Sequence, residues 1–281
     1  MALEPTLNEK YTNLQSLLRR LGSIVIGFSG GVDSTLLLKV AVDILGTKAL
    51  AVIGKSDTYP TREFEEALQL ADRIGARKIV VQTGETDQIK FQENPPDRCY
   101  FCKSELYSKL HEIALQEGIP WIADGTIVDD TDDFRPGMKA QKEQDVVSPL
   151  LEAGMTKQDV RILSQHLDLP TWNKQSFACL SSRFPYGTAI SKENLNKVEG
   201  AEIVLHDLGF TSYRVRFHDE RTARIEIGQS EFQRFLDPSC RSTIVSEFKK
   251  LGFLYITLDL QGYRTGSMNE VLSIAEKERY L

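Results

Sequence analysis

The chain is 281 residues long, 41% hydrophobic and 26% charged, with 40 acidic side chains against 34 lysines and arginines and a formal net charge of −6. That length buries a core without disulfide staples, and that charge balance gives no overall field for nucleic acid, although a local basic site for a phosphorylated small molecule stays open. Residues 1–10 are mixed in character and no apolar run is long enough to span a bilayer, so we expect a cytoplasmic protein with neither a membrane nor a nucleic-acid partner; four cysteines are too few for a disulfide scaffold.

Residues 24–28 are short and apolar and end in small side chains, which suits a buried parallel strand. A helix is expected over 34–45, ended by Gly46, and a strand over 50–53. Residues 62–74 carry Phe64, Ala67, Leu68, Ala71 and Ile74 at helical spacing and stop at Gly75. A strand over 78–82, a helix over 106–115 and a strand over 121–123 follow. This order predicts a parallel sheet with helices on both faces, whose ligands sit beyond the carboxyl ends of the strands. The loops after Phe28, Gln82 and Ala123 are therefore the ones to inspect. Residues 92–102, 129–142 and 172–189 hold too many turn formers to be core, and a helix over 156–167 ends before Pro170. From about residue 190 the rhythm changes: helix 192–208, strands 213–217 and 224–227, helices 231–236 and 243–251, strand 255–260. That pattern reads as a smaller α+β domain, so we divide the chain into 1–170 and 171–281.

The first loop is Phe28-Ser29-Gly30-Gly31-Val32-Asp33-Ser34-Thr35. Two glycines let backbone approach an anion, and the following helix start offers free N–H groups and a positive dipole end. Ser29, Ser34 and Thr35 add hydroxyls. Asp33 is out of place beside an anion unless Mg²⁺ bridges it to the phosphates. A tight turn with a helix cap is the plainer alternative. The loop lacks the lysine of a Walker A motif and the spacing of a dinucleotide fold. It closely resembles the signature of the PP-loop ATP pyrophosphatases, with Ser29, Gly30, Gly31, Asp33, Ser34 and Thr35 matching position by position. That resemblance implies an adenine nucleotide alpha hydrolase-like sheet and chemistry at the α-phosphate of ATP: a substrate oxygen is adenylated, PPi leaves, and a nitrogen or sulfur nucleophile displaces AMP.

Cys99 and Cys102 form a CxxC just before a predicted helix, and Cys179 lies in a later loop. Three thiolates can hold three irons of a [4Fe–4S] cluster and leave the fourth open for a hydrosulfide; a redox pair or structural thiols would look similar. The four histidines have no metal-ligand spacing, and Cys240 stands alone. Arg214 and Arg216 are two apart on a predicted strand and share a face, where they suit a phosphate or carboxylate, although solvated arginines also occur in this pattern.

Further blocks resemble the LarE family: Asp133-Phe134-Arg135-Pro136-Gly137, Ser181-Ser182-Arg183-Phe184-Pro185-Tyr186-Gly187, the strand Tyr213-Arg214-Val215-Arg216-Phe217-His218, and Thr257-Leu258-Asp259-Leu260-Gln261-Gly262-Tyr263-Arg264. The resemblance runs over essentially the whole chain. It implies an ATP-dependent sulfurtransferase of nickel-pincer cofactor synthesis, acting on pyridinium-3,5-biscarboxylic acid mononucleotide and forming homo-oligomers. Some members sacrifice the sulfur of the one cysteine that matches Cys179 and have tryptophan where Cys99 stands; others hold a [4Fe–4S] cluster on three. With Cys99, Cys102 and Cys179 this sequence resembles the cluster type. The resemblance also implies a divalent ion at Glu202 and Glu226. Arg183, in the cysteine loop, joins Arg214 and Arg216 as a candidate for substrate, Lys103 next to Cys102 can offset charge on the adenylated phosphate, and Gly125 and Arg135, which follow the fourth strand on the ligand side, are assigned to ATP. Another PP-loop enzyme, a tRNA thiolase or an ATP-dependent amidating enzyme, is the alternative.

Overall fold

The structure, a computed structural model, describes residues 3–132, 135–175, 178–264 and 266–280. In chain order its main elements are α1 (Pro5–Leu21), β1 (Ile24–Gly27), α2 (Val32–Leu45), β2 (Ala49–Lys55), α3 (Thr61–Ile74), β3 (Arg77–Gln82), α4 (Ile89–Gln92), α5 (Arg98–Glu117), β4 (Ile122–Ala123), α6 (Gly137–Glu143), α7 (Pro149–Glu152), α8 (Lys157–His166), α9 (Lys192–Asp207), β5 (Tyr213–Asp219), β6 (Thr222–Ile227), α10 (Phe232–Leu236), α11 (Pro238–Lys250) and β7 (Tyr255–Leu258). They group into two units, one made of Met1–Glu85 with Asp97–Phe177, the other of Thr86–Pro96 with Ala178–Tyr280.

The first unit is a four-stranded parallel sheet in the order β3-β2-β1-β4. Its layering follows from the alternation of side chains along a strand. Ile24 and Ile26, with Ala49, Ala51 and Ile53, join an apolar cluster with Leu14 and Leu18 of α1, Leu37 and Val40 of α2, Ala67 and Ala71 of α3, and Leu163 of α8. Val25, Leu50 and Val52 turn the other way, onto Tyr107, Leu110 and Ala114 of α5 and Ala140 of α6. Each fully buried Leu or Ile contributes about 1.5–3 kcal/mol. Both faces are therefore covered, as the βαβα order predicts. One boundary differs from expectation. The segment ending at Cys102 reads as loop, yet α5 is helical from Arg98. The turn formers Pro95 and Pro96 stop short of it, and the apolar register of Tyr107, Leu110 and Ala114 carries the helix back over the cysteines.

The second unit is a small mixed sheet, β5-β6-β7. β5 and β6 pair antiparallel with a bulge between Phe217 and Asp219, and β7 runs parallel to β6. Aromatic rings fill its core: Phe184 stacks on Phe217 at 4.9 Å, and Phe217 meets Phe253 edge-on at 6.4 Å. The segment Thr86–Pro96 belongs here because Asn94, fully buried at φ 52°, donates to the carbonyls of Phe184 (3.4 Å) and Pro185 (2.8 Å), while Gly187 N–H donates back to Asn94. Asparagine tolerates that left-handed backbone better than most residues.

Candidate functional site

The phosphate loop lies between Phe28 and α2, at the carboxyl end of β1. It is stitched from inside: Ser29 and Ser34 hydroxyls are 3.1 Å apart, Gly31 N–H donates to Ser29 Oγ (3.4 Å), and Ser34 Oγ donates to Gly31 O (3.3 Å). It is braced from outside by Tyr59, whose hydroxyl donates to Ser29 O (2.7 Å), and by Lys174, which reaches Gly30 O (3.4 Å) from between Glu63 and Glu66. Both key glycines have steric reasons. Gly30 has φ 62°, and a Cβ there would sit 3.0 Å from Ala67 Cβ of α3. A Cβ on Gly125, after β4, would sit 2.9 Å from Ser34 N.

Two features at the start of α2 suit a bound anion. α2 begins at Val32 with no side-chain cap, so its first-turn N–H groups are donors in search of an acceptor. Thr35 is fully buried and its hydroxyl has no hydrogen-bond partner among the described residues. A buried hydroxyl left so costs free energy unless a ligand satisfies it.

Asp33 points both carboxylate oxygens at Lys157 Nζ, 2.8 and 2.6 Å away. Burial raises the Asp33 pKa above its ordinary value, and Lys157 opposes that rise. One carboxylate beside the phosphate position suits Mg²⁺, which takes few protein ligands and several phosphate oxygens. Lys157 opens α8, where Thr156 and Asp159 form a reciprocal capping box and Asp129 accepts the Lys157 N–H (2.8 Å). Arg135 is exposed and pairs with Asp130 at 2.8 Å; Asp133 and Phe134 lie outside the described residues.

Asp124 is a second hub, one residue beyond β4. It accepts Tyr107 Oη (2.8 Å), Ser148 Oγ (2.8 Å), Thr126 N–H (3.1 Å) and Lys103 Nζ (3.2 Å). Burial alone would raise its pKa, but Lys103 and these hydrogen bonds hold it below the ordinary value. The Lys103 stem crosses Gly137, where a Cβ would meet its Cδ at 2.7 Å.

Cys99 and Cys102 sit one turn apart at the start of α5, neither in a disulfide, the first exposed and the second half-buried. Accessible thiols with that spacing are the donor set a cluster takes from one helix. Cys179 belongs to the second unit and is in no disulfide either; Ser176 and Phe177 before it lie outside the described residues. Among the described residues of either unit, no three His, Cys, Asp or Glu side chains gather as a metal-binding group.

Around Cys179 the second unit is built on buried arginine. Arg183 is 1% exposed. Its Nη1 donates to the carbonyl of Cys179 (2.9 Å), also to that of Ala178, and its Nε and Nη2 take both oxygens of Glu202 at 2.9 Å. Burial works against its charge, and Glu202 outweighs burial, so its pKa lies above the ordinary value. Arg214 lies over the ring of Tyr263, 5.0 Å from its centroid, and burial followed by repulsion from Arg183 lowers its pKa. Arg216 donates to Ser182 O (3.0 Å), Glu226 (2.7 Å) and Ser267 Oγ (2.9 Å).

Two expected roles meet different surroundings. Glu202 accepts from Arg183 and from Val215 N–H (3.0 Å), and Glu226 accepts from Arg216, Arg224 and Ser267. In this arrangement a divalent ion at either carboxylate would have to displace a guanidinium, as one at Asp33 would have to displace Lys157. Arg183 has its donors engaged by protein and shapes the Cys179 loop. The structure thus brings Ser29 to Thr35 together with Gly125, Cys99 with Cys102 and Lys103, and Arg183 with Glu202 and Arg216. Sequence reasoning passes over Lys157, Lys174, Tyr59 and Asp124. For Lys157 a signal existed, since Thr156-x-x-Asp159 marks a helix start and puts residue 157 in its first turn.

The chain is similar to several known proteins. Residues 8–115 match the family model of NAD synthase. The chain is 44% identical over 267 residues to an uncharacterized protein of Synechocystis, covering 95% of this chain and 99% of that one. It is 41% identical over 272 residues to the pyridinium-3,5-bisthiocarboxylic acid mononucleotide synthase of Lactiplantibacillus plantarum, covering 96% and 98%. A tRNA-specific 2-thiouridylase of Treponema denticola matches more distantly, 28% over 153 residues, 46% of this chain and 42% of that protein.

Proposed function

The chain belongs to the LarE family of PP-loop, ATP-using enzymes, and from that premise we propose that it is an ATP-dependent sulfurtransferase making a pyridinium bisthiocarboxylate mononucleotide. A carboxylate oxygen of pyridinium-3,5-biscarboxylic acid mononucleotide attacks the α-phosphorus of ATP, and the bond to the β-phosphate oxygen breaks, releasing PPi. Sulfide then attacks the acyl carbon, and AMP leaves with its electron pair on the phosphate oxygen. The observation that carries this reading is the uncapped start of α2, with two glycines before it and, in its first turn, a Thr35 hydroxyl that has no partner among the described residues.

The residues divide the work as follows. Ser29, Gly30, Gly31, Ser34 and Thr35 hold the leaving diphosphate by backbone and hydroxyl donors, with Gly125 giving the room and Arg135 at the rim. Asp33 holds Mg²⁺. Lys103 offsets charge that develops at the adenylated phosphate. Arg214 and Arg216 take the substrate's phosphate or carboxylate, and Arg183 fixes the loop of Cys179. Glu202 and Glu226 hold these arginines as counter-ions and would take a divalent ion in exchange for a guanidinium. Cys99, Cys102 and Cys179 would hold a [4Fe–4S] cluster, which when bound supplies the sulfur. Such chemistry suits a reducing compartment, and we assign the protein to the cytoplasm as a homo-oligomer, with the C-terminal part, from about residue 171, serving substrate binding and assembly. No helix among the described residues is long and apolar enough to cross a membrane.

Turnover with ATP and the mononucleotide should release PPi and AMP; release of ADP overturns the adenylation step. Anaerobic purification should give about four irons per chain, lost in Cys99→Ala. Iron-free protein whose Cys179 loses the mass of H₂S on turnover would instead make that cysteine the sulfur donor.

A further inference from the structure

Lys157 lies outside the phosphate-loop motif, yet it holds the motif's only carboxylate with both oxygens. Its backbone is fixed independently of its head group. Asp129 accepts its N–H, the Thr156/Asp159 box caps its helix, and Lys10 pairs with Asp159 at 2.6 Å. The ammonium sits at the end of a flexible four-carbon stem that can turn about this anchor. The neighbouring cation Arg135 is engaged with Asp130. A divalent ion arriving alone at Asp33 must therefore break the Lys157 pair, and it brings no anion to receive the freed ammonium. The same ion arriving with a triphosphate brings that anion to the helix start where Asp33 stands.

We propose that Lys157 is a positioning residue that couples metal and nucleotide binding: it occupies Asp33 in the empty protein and moves to a phosphate oxygen when the metal–nucleotide complex binds. This rests on the assignment of the loop to ATP. Its thermodynamic content is a linkage, because a group that competes with one ligand and assists the other makes each bind better with the other present. Removing the charge should therefore move two affinities in opposite directions, which a merely structural lysine would not do.

The test uses the full chain with Mn²⁺ as metal probe and α,β-methylene-ATP, which resists α–β cleavage. In Lys157→Met, Mn²⁺ without nucleotide should bind about tenfold more tightly, and the Mn²⁺ complex of the analogue about tenfold more weakly. Lys157→Arg should keep the wild-type order of both, which guards against a folding defect in the methionine variant. Asp33→Asn should abolish the gain in Mn²⁺ affinity. Unchanged Mn²⁺ binding in Lys157→Met overturns the coupling while leaving the ATP assignment intact. Wild-type protein that binds no analogue overturns the assignment, and the coupling with it.

Discussion

At the phosphate loop the first unit offers backbone: glycines that remove bulk, an uncapped helix start, and hydroxyls, with Asp33 the one charged side chain of the motif itself. Around Cys179 the second unit offers the reverse, buried guanidiniums whose directions are set by carboxylates, down to 1% exposure at Arg183. The first arrangement binds an anion at small cost when empty, because N–H groups at a helix start can be solvated. The second has to desolvate charge even without ligand, and each ion depends on its partner. If this contrast is right, the same kind of substitution should damage the two sites differently, in stability at one and in binding at the other.

The largest effect is expected in the second unit. Arg183→Met leaves Glu202 buried and unpaired and frees the carbonyls of Ala178 and Cys179, so urea unfolding should report a loss of about 3–5 kcal/mol. Adding Glu202→Leu should recover much of that loss, since removing both charges is cheaper than stranding one. A double variant no better than the single would mean that the guanidinium acts through the Cys179 loop and not through its counter-ion. In the first unit, Gly125→Ala puts a methyl group 2.9 Å from Ser34 N. We expect about 1–3 kcal/mol of overpacking, together with loss of α,β-methylene-ATP binding as the start of α2 is displaced. Wild-type affinity in that variant would detach the loop after β4 from the nucleotide.

Acid should separate the two carboxylates that matter. Burial works against the charge of Glu202, but Arg183 and its hydrogen bonds outweigh that and lower its pKa below 4.5. Its folded value is depressed, so its contribution is fully present above pH 4.5 and is lost as pH falls through the folded value. Asp33 has the opposite sign. Burial, only partly opposed by Lys157, raises it above 3.8, so its contribution is greatest below pH 3.8 and fades as pH rises through the folded value. Asp33→Asn should thus gain on wild type in unfolding midpoint as pH rises from about 3.5 to 6, while Glu202→Gln should close on wild type as pH falls. Parallel pH profiles for the two variants would remove the contrast.

How much of this could be read in advance tracks sequence distance. The phosphate loop is contiguous, so eight residues displayed turn, glycines and helix start together, and the four parallel strands followed from apolar runs between helices. Arg214 and Arg216 share a face by the period of a strand, which needs no tertiary knowledge. The partners of these groups are another matter. Lys157 and Asp33 are 124 positions apart, and Lys174 and Gly30 are 144 apart. The guanidinium partners of Glu202 and Glu226 are also out of local reach: Arg183 lies 19 positions from Glu202, and Arg216 meets Glu226 through the register of β5 with β6. The start of α5 was misread because local turn chemistry argued for loop, while packing of Tyr107 and Leu110 on the sheet decided for helix. α1 went unread for a related reason, since its apolar stripe gains meaning only against the sheet.

The smallest effect probes the loop most directly. Thr35 is fully buried, so a change there would ordinarily be felt in stability. Its hydroxyl, however, has no partner among the described residues, and replacing an unsatisfied hydroxyl by a methyl group is close to neutral or stabilising. Thr35→Val should therefore leave urea stability within about 0.5 kcal/mol of wild type or raise it. The hydroxyl's use should appear only with ligand, as a loss of about 1 kcal/mol, roughly fivefold, in α,β-methylene-ATP affinity by calorimetry. The reverse outcome, a less stable protein with unchanged affinity, would give that hydroxyl a role in the protein alone, and the phosphate loop would lose its most specific sign of a ligand.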